Sequence, residues 1–170
     1  MTEVPADVLA QVGEPCHREQ SVVPVEPGAI TAFVSASHNG NPVYWDDAVA
    51  DEITAGPVAP ATMLSVWFQP LPWEPGRTEE AVPLRLHFEL KERFGYPEAI
   101  VSDNVATYHE PVRPGDVLTS EQRLVSVSDE KTTRLGTGRF WVIDVEYRNQ
   151  HDDLVAVERW TSFGYEVDAA

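Results

Sequence analysis

From Ala99 to Val167 the chain reads as strand after strand, and this half of the sequence decides what it can fold into. Residues 100–108 are rich in β-formers and run into the turn Arg113-Pro114-Gly115-Asp116. Residues 117–127 alternate around Leu118, Leu124 and Val125, the period of a strand with one buried face. Asp129-Glu130 marks the next turn. Residues 132–147 are long enough for one bent strand or two, and Gly136 and Gly138 within them point to a bulge or a close backbone approach. A polar turn over residues 149–153 leads to a last strand over 154–167, carrying Val155, Val157, Trp160 and Phe163.

The first half has helical spacing instead. Residues 1–13 form a short helix or stay mobile, and the β-branched run 21–25 ends at Pro27-Gly28. Ile30, Phe33 and Val34 fall at helical intervals within 29–37. Asp46 and Asp47 open a helix over 46–55, where acidic residues suit the helix dipole and read as capping groups rather than catalytic carboxylates. Residues 60–69 begin with Pro60 and are apolar nearly all round, which predicts a buried helix. Residues 71–82 are a Pro- and Trp-rich loop, and 84–94 an amphipathic helix closed by Gly95 and Pro97. Helices first and antiparallel strands after make an α+β plan. The expected organisation is an N-terminal segment, residues 1–20, and one domain, residues 21–170.

The charge balance narrows the function. With 12 Lys and Arg against 28 Asp and Glu, the net charge is −16. A phosphate backbone needs clustered cations, so nucleic acid is an unsuitable partner. Cys16 is the only cysteine, so an intrachain disulfide is impossible, and an inert thiol is the expected role. No apolar stretch reaches a membrane-span length of roughly 18 residues, and the acidic N-terminus does not read as a signal peptide. A cytoplasmic location is the expectation. The five histidines show no metal-ligand spacing.

The stretch Ser37-His38-Asn39-Gly40-Asn41-Pro42-Val43-Tyr44 resembles the S-G-D-x-N-P-x-H signature of the MaoC-like hot-dog enoyl-CoA hydratases and dehydratases, in particular their N-terminal-type domain. The likeness spans roughly residues 27–165. It is carried also by the Gly-Pro-Val-Ala-Pro segment at 56–60, the Pro-Val-Arg-Pro-Gly-Asp turn at 111–116 and the strand at 133–140. The resemblance implies a single hot-dog fold, an antiparallel sheet wrapped around a long central helix formed by residues 60–69. It places the family's catalytic Asp on Asn39 and its catalytic His on Tyr44. An amide has no useful basicity and a phenol titrates near about 10, so neither takes a proton from water. His38 stands where the family has glycine. Pro60 and Ala61 stand where catalytic members carry His and Gly; Ala61 keeps an N–H at a helix start that can receive a thioester oxygen.

The reading that follows is a subunit without its own catalytic pair. A second MaoC-like hot-dog chain with an intact Asp and His, expected as an α2β2 assembly, would run the chemistry. This chain would shape a pocket for a bulky or long acyl-CoA, possible substrates including a steroid side chain, with no cofactor and no metal. Candidate substrate contacts are Ala61, Met63, Trp67 and Trp73, with Phe68 beside them. Candidate CoA-phosphate contacts are Arg113, Lys131, Arg134 and Arg139. Two alternatives stay open: a homodimeric thioesterase or dehydratase using His38 as an unorthodox base, and a non-catalytic acyl-thioester-binding module. Each residue also has a plainer role: His38 a turn histidine, the aromatic residues core, the cations solvated surface.

Overall fold

The computed structural model describes residues 3–69, 71, 73, 75–76, 78 and 82–167. Six strands form one antiparallel sheet: β1 (Pro15–Gln20), β2 (Glu98–Tyr108), β3 (Thr119–Val127), β4 (Lys131–Thr133), β5 (Gly136–Arg148) and β6 (Leu154–Glu166). Their spatial order is β1-β3-β5-β6-β2, with β4 paired onto β5 as a short hairpin. The long segment 132–147 is therefore two strands rather than one. Gly138 is the close approach that its sequence suggested: a Cβ there would run into the Gly164 carbonyl of β6.

The sheet has one dry face because β5 alternates from Arg139 to Arg148. Trp141, Ile143, Val145 and Tyr147 are buried, while Phe140, Val142, Asp144, Glu146 and Arg148 are half-exposed on the other side. A period of two does this in any strand. On the outer face Arg159 donates two hydrogen bonds to the Asp144 carboxylate, both at 2.7 Å. That pair is open to solvent and worth at most about 1 kcal/mol. Truncating one buried leucine of the inner face to alanine costs about 2–5 kcal/mol, so the inner face decides stability.

Two helices cover the inner face. α1 (Ala6–Gln11) and α2 (Pro27–Ala36) add Val8 and Ile30 to the same core, α3 (Asp47–Thr54) lies outside it, and the α-helix seated on the sheet is α4 (Arg85–Phe94). Its Leu86, His87 and Leu90 are buried. The Leu86 N–H donates to Gln122 Oε1 on β3 at 3.0 Å, and His87 Nδ1 meets Ser162 Oγ on β6 at 2.9 Å. Phe94 stacks on Trp141 with ring centroids 6.1 Å apart. Gly95, in the left-handed region, ends the helix.

The second cover is the segment expected to be the long central helix. It is buried as expected, but it is a 3-10 helix, Ala61–Phe68, and not a long α-helix. Prolines flank it at 60 and 70, and Thr62 and Val66 are β-branched, which leaves little to favour an α-helix of useful length. Met63, Leu64 and Trp67 enter the core, and the Trp67 carbonyl accepts the Val22 N–H at 2.9 Å. Phe68 lies 5.2 Å from Tyr147, ring centre to ring centre.

The N-terminal residues belong to the same packing unit. Val8 of α1 is wholly buried in the main core, and β1 pairs with β3 across the boundary drawn at residue 20. Among the described residues no helix is long and apolar enough to cross a membrane.

His87 provides a test of the α4 seam. Burial, with Lys91 close by, holds its pKa below the ordinary value. A depressed folded-state pKa gives stability that is present above about 6.5 and lost as pH falls toward the folded value. The wild-type melting temperature should therefore drop between neutral and mildly acidic pH by more than that of His87→Gln. Parallel curves for the two proteins would show that the seam does not titrate through this residue.

Candidate active site

The segment between α2 and α3 is a tightly fastened turn. Pro42–Tyr44 make one turn of 3-10 helix, capped by Asn41 Oδ1, which accepts the Val43 N–H at 3.1 Å. Asn39 Oδ1 accepts the Asn41 N–H at 3.1 Å, and the Asn39 carbonyl accepts Trp45 Nε1–H at 2.8 Å. Asp46 Oδ1 accepts the Ala48 N–H at 2.9 Å and so starts α3. Asn39 thus acts as a fastener of the turn. Val43, Ala50 and Val58 make a small second core, and Tyr44 packs on it.

Arg113 ties this overhang to the sheet. Its Nη2 donates to the Thr54 carbonyl at 2.7 Å, and its Nη1 faces the carbonyls of Ala55, Gly56 and Pro57 at 3.3–3.5 Å. The Thr54 carbonyl is an orphan acceptor at the C-terminal end of α3, where a cation is favoured, and the other three follow it in the chain. Asp116 Oδ2 accepts the Arg113 N–H at 2.7 Å, and the Ala59 N–H donates to the Val112 carbonyl at 2.8 Å.

Between overhang and sheet lies a cleft of about 250 Å³. Val58, Leu64, Val112 and Val155 form its apolar floor. Tyr44, Ala61, Tyr108, His109 and Glu110 stand around it. Ala61 opens the 3-10 helix, so its N–H precedes the first intrahelical bond, which runs from the Met63 N–H to the Pro60 carbonyl. Burial and the Glu158 carboxylate push the Tyr108 phenol above its ordinary range, and burial pushes Glu158 up. Tyr147 OH donates to Glu158 Oε2 at 3.1 Å, and burial shifts that phenol still further upward. Among the described residues no three His, Cys, Asp or Glu side chains cluster in a metal-binding group.

Of the residues singled out in the sequence, the cleft unites Tyr44 and Ala61. Asn39 belongs to the turn and is absent from the cleft lining. His38 is exposed, has a left-handed φ of 52°, and is absent from the cleft lining. Met63 and Trp67 are core residues, 1% and 2% exposed, and do not line the cleft. Trp73 is 76% exposed. The four basic residues do not converge. Arg113 is committed to α3, Lys131 rests 5.9 Å above the Phe140 ring, and Arg134 is exposed beside the β4–β5 turn. Arg139 is 2% exposed and donates to the Ser128 carbonyl at 2.9 Å, so it is part of the core and not a solvent-facing phosphate contact. Tyr108, His109 and Glu110 were not among the site residues expected. Their signal was three polar or aromatic side chains in a row where a strand ends at Pro111.

A family model described as FAS1-like, dehydratase domain region, matches residues 10–158. The chain belongs to this family. Two curated relatives of this FAS1-like dehydratase region carry subunit names. A probable enoyl-CoA hydratase alpha subunit of Thermomonospora curvata is 35% identical over 158 residues, covering 88% of this chain and 46% of the relative. A 3-oxo-4,17-pregnadiene-20-carboxyl-CoA hydratase alpha subunit of Mycobacterium tuberculosis is 32% identical over 144 residues, covering 81% and 43%. The chain therefore spans less than half the length of either. Among solved structures, one chain of the ChsH1-ChsH2 complex of Mycobacterium tuberculosis superposes with a TM-score of 0.77 at 26% identity, covering 96% of this chain and 90% of that one. The sheet, its inner-face helices and this superposition define a single MaoC-like hot-dog domain.

The Arg113 clamp sets how firmly the cleft is held. Replacing Arg113 with Ala should cost about 1.5–3 kcal/mol, the range for hydrogen bonds to a charged group. A urea titration reads this as a lower midpoint at unchanged slope. An unchanged midpoint would mean that α3 is held by its small apolar core alone.

Proposed function

We propose that this domain is the pocket-shaping, non-catalytic half of a hetero-oligomeric enoyl-CoA hydratase. The observation that carries the reading is the cleft: it keeps an apolar floor and the Ala61 N–H, yet its motif positions hold a phenol and a turn-fastening amide. Hydration adds water across the 2,3 double bond of an acyl-CoA, hydroxide to C3 and a proton to C2. One group must take a proton from water and one must deliver it. Asn39 and Tyr44 are suited to neither task. A second hot-dog subunit with an intact Asp and His supplies both, in an α2β2 assembly. The curated relatives named as alpha subunits, and the similarity to a chain of a two-component complex, support this division.

The chain offers a place for such a partner. β2 ends the sheet with 11 residues, nearly all exposed, and presents Val101, Val105 and Tyr108 to solvent. A long apolar edge invites a further strand. A partner sheet laid against it would extend the inner face and enclose the acyl group between the two subunits. The short 3-10 helix, about 16 Å at roughly 2 Å per residue, leaves room there for a bulky tail. A steroid side chain is the size class suggested by the name of the mycobacterial relative. Ala61 receives the thioester oxygen, and Trp73 stands as an outer contact for the tail. The CoA phosphates are met mainly by the partner, because Arg113 and Arg139 are engaged within this fold. No cofactor takes part, and the cytoplasm is the setting.

The test is co-expression with a hot-dog chain carrying the intact Asp and His, purification by a tag on this chain, and an enoyl-CoA hydration assay. Activity at ordinary enzyme rates, about 1–1,000 per second, should appear only in the co-purified complex. Turnover by this chain alone would overturn the reading and favour a self-sufficient homodimer. Thioester binding without turnover in every pairing would favour a binding module.

The edge gives a separate prediction. Val101→Asp combined with Val105→Lys should abolish co-purification while leaving the circular dichroism of this chain unchanged. Retained pairing would place the interface elsewhere.

A further inference from the structure

Asn39 is the one asparagine of the four in this chain that precedes a glycine; Asn41, Asn104 and Asn149 precede Pro42, Val105 and Gln150. Four observations bear on that pair. Gly40 is exposed, and a Cβ placed on it meets nothing within 4 Å, so the backbone around it has open space. Its N–H makes no hydrogen bond among the described residues, whereas the N–H groups of Asn39 and Asn41 are both bonded. Asn39 Oδ1 accepts the Asn41 N–H at 3.1 Å, which draws electron density from Cγ and stands where an oxyanion would form upon attack there. The Asn39 carbonyl is anchored by Trp45 Nε1–H at 2.8 Å, so the segment is held with its Gly40 side facing water.

We propose that Asn39-Gly40 is a self-modifying site, at which the Gly40 backbone nitrogen attacks Asn39 Cγ and converts the amide to a carboxylate. The new bond joins Gly40 N to Asn39 Cγ, and the Gly40 N–H proton goes to solvent. The Cγ–Nδ2 bond breaks, and Nδ2 takes one proton from solvent and leaves as ammonia, giving a five-membered succinimide. Water then opens the ring. Addition at Cγ restores the normal backbone and leaves an aspartate at position 39. Addition at the former backbone carbonyl leaves an isoaspartate, with the chain rerouted through the side chain. Nothing is oxidised or reduced, and water is the only co-reactant.

The two products act differently on the cleft. The aspartate keeps an oxygen for the Asn41 N–H, now in a stronger charge-assisted bond, and places a carboxylate at the position where the related motif has one. The isoaspartate adds a methylene to the main chain between the Val34 and Trp45 anchors, so it shifts the turn that carries Tyr44. The modification does not depend on the proposed hydratase role, and its readout is independent of turnover.

The experiment incubates the folded full chain in mildly alkaline buffer and follows each asparagine by peptide mass spectrometry, with isoaspartyl methyltransferase labelling to separate the two products. The Asn39 peptide should gain the mass difference of hydroxyl for amide, while Asn41, Asn104 and Asn149 stay intact. Conversion should quicken with rising pH and slow several-fold in Gly40→Ala, a change the open space at Gly40 accommodates. A folded chain that keeps Asn39 intact while a free peptide of residues 32–50 is converted would overturn the proposal. So would conversion in Gly40→Ala at the wild-type rate.

Discussion

The inner face of β5 and β6 has to be kept dry, and the rest of the molecule follows from how that is done. Trp141, Ile143, Val145 and Tyr147 on β5 and Ser162 on β6 cannot face water together without losing the core. α4 covers them at one end through Leu86, Leu90 and Phe94, and the polar groups it brings are matched: a backbone N–H to Gln122, an imidazole to Ser162. The 3-10 helix covers the other end through Met63, Leu64 and Trp67. Where this second cover begins, at Ala61, the floor opens into the cleft. The site is therefore the place where the cover of the sheet starts, and its geometry is inherited from the core.

The overhang is held by hydrogen bonds more than by area. Its own apolar cluster is three residues, Val43, Ala50 and Val58, which is too little to fix it in place. Arg113 does so from the sheet side by meeting the carbonyls at the end of α3. Asn39, Asn41 and Asp46 do so from within, each accepting a backbone N–H nearby. The consequence is chemical as well as mechanical. A side chain that fastens a turn is already hydrogen-bonded, so the amide at the motif position serves structure in a place where the related signature has a carboxylate for catalysis.

The strands after residue 98 were legible as runs of β-forming residues between turns, and where they alternate one face is dry and the other wet; β1 was not read, because Pro15–Gln20 has no apolar alternation. α4 was legible for the same reason at a helical period, with Gly95 as its stop. The 3-10 helix misled because burial and helix type are separate properties. An all-apolar segment says that it is buried; flanking prolines and β-branched residues decide how it coils, and those signals were outweighed in the reading. Tyr44 and Ala61, which the motif singled out, both line the cleft. His109 and Glu110 were not, because strand ends carry polar residues for many reasons and only the three-dimensional arrangement shows these beside Tyr44. Met63 and Trp67 show the opposite error: aromatic and large apolar side chains near a site are most often its foundations.

The two edges of the sheet complete the argument about assembly. β1 is short, six residues, and α1 packs beside it, with Val12 bridging to Leu124 and Val8 in the core. That edge is managed within the chain in the usual ways, by brevity and by cover. β2 is nearly twice as long and carries apolar side chains outward, with no such protection among the described residues. A fold that blunts one edge and leaves the other long and exposed is asymmetric in a way that core packing does not require. The same strand runs on into Tyr108, His109 and Glu110 at the cleft, so whatever pairs with β2 also reaches the site. The exposed edge and the cleft thus share one strand, and the cleft joins an apolar floor to a phenol at one motif position, with His109 and Glu110 at its rim.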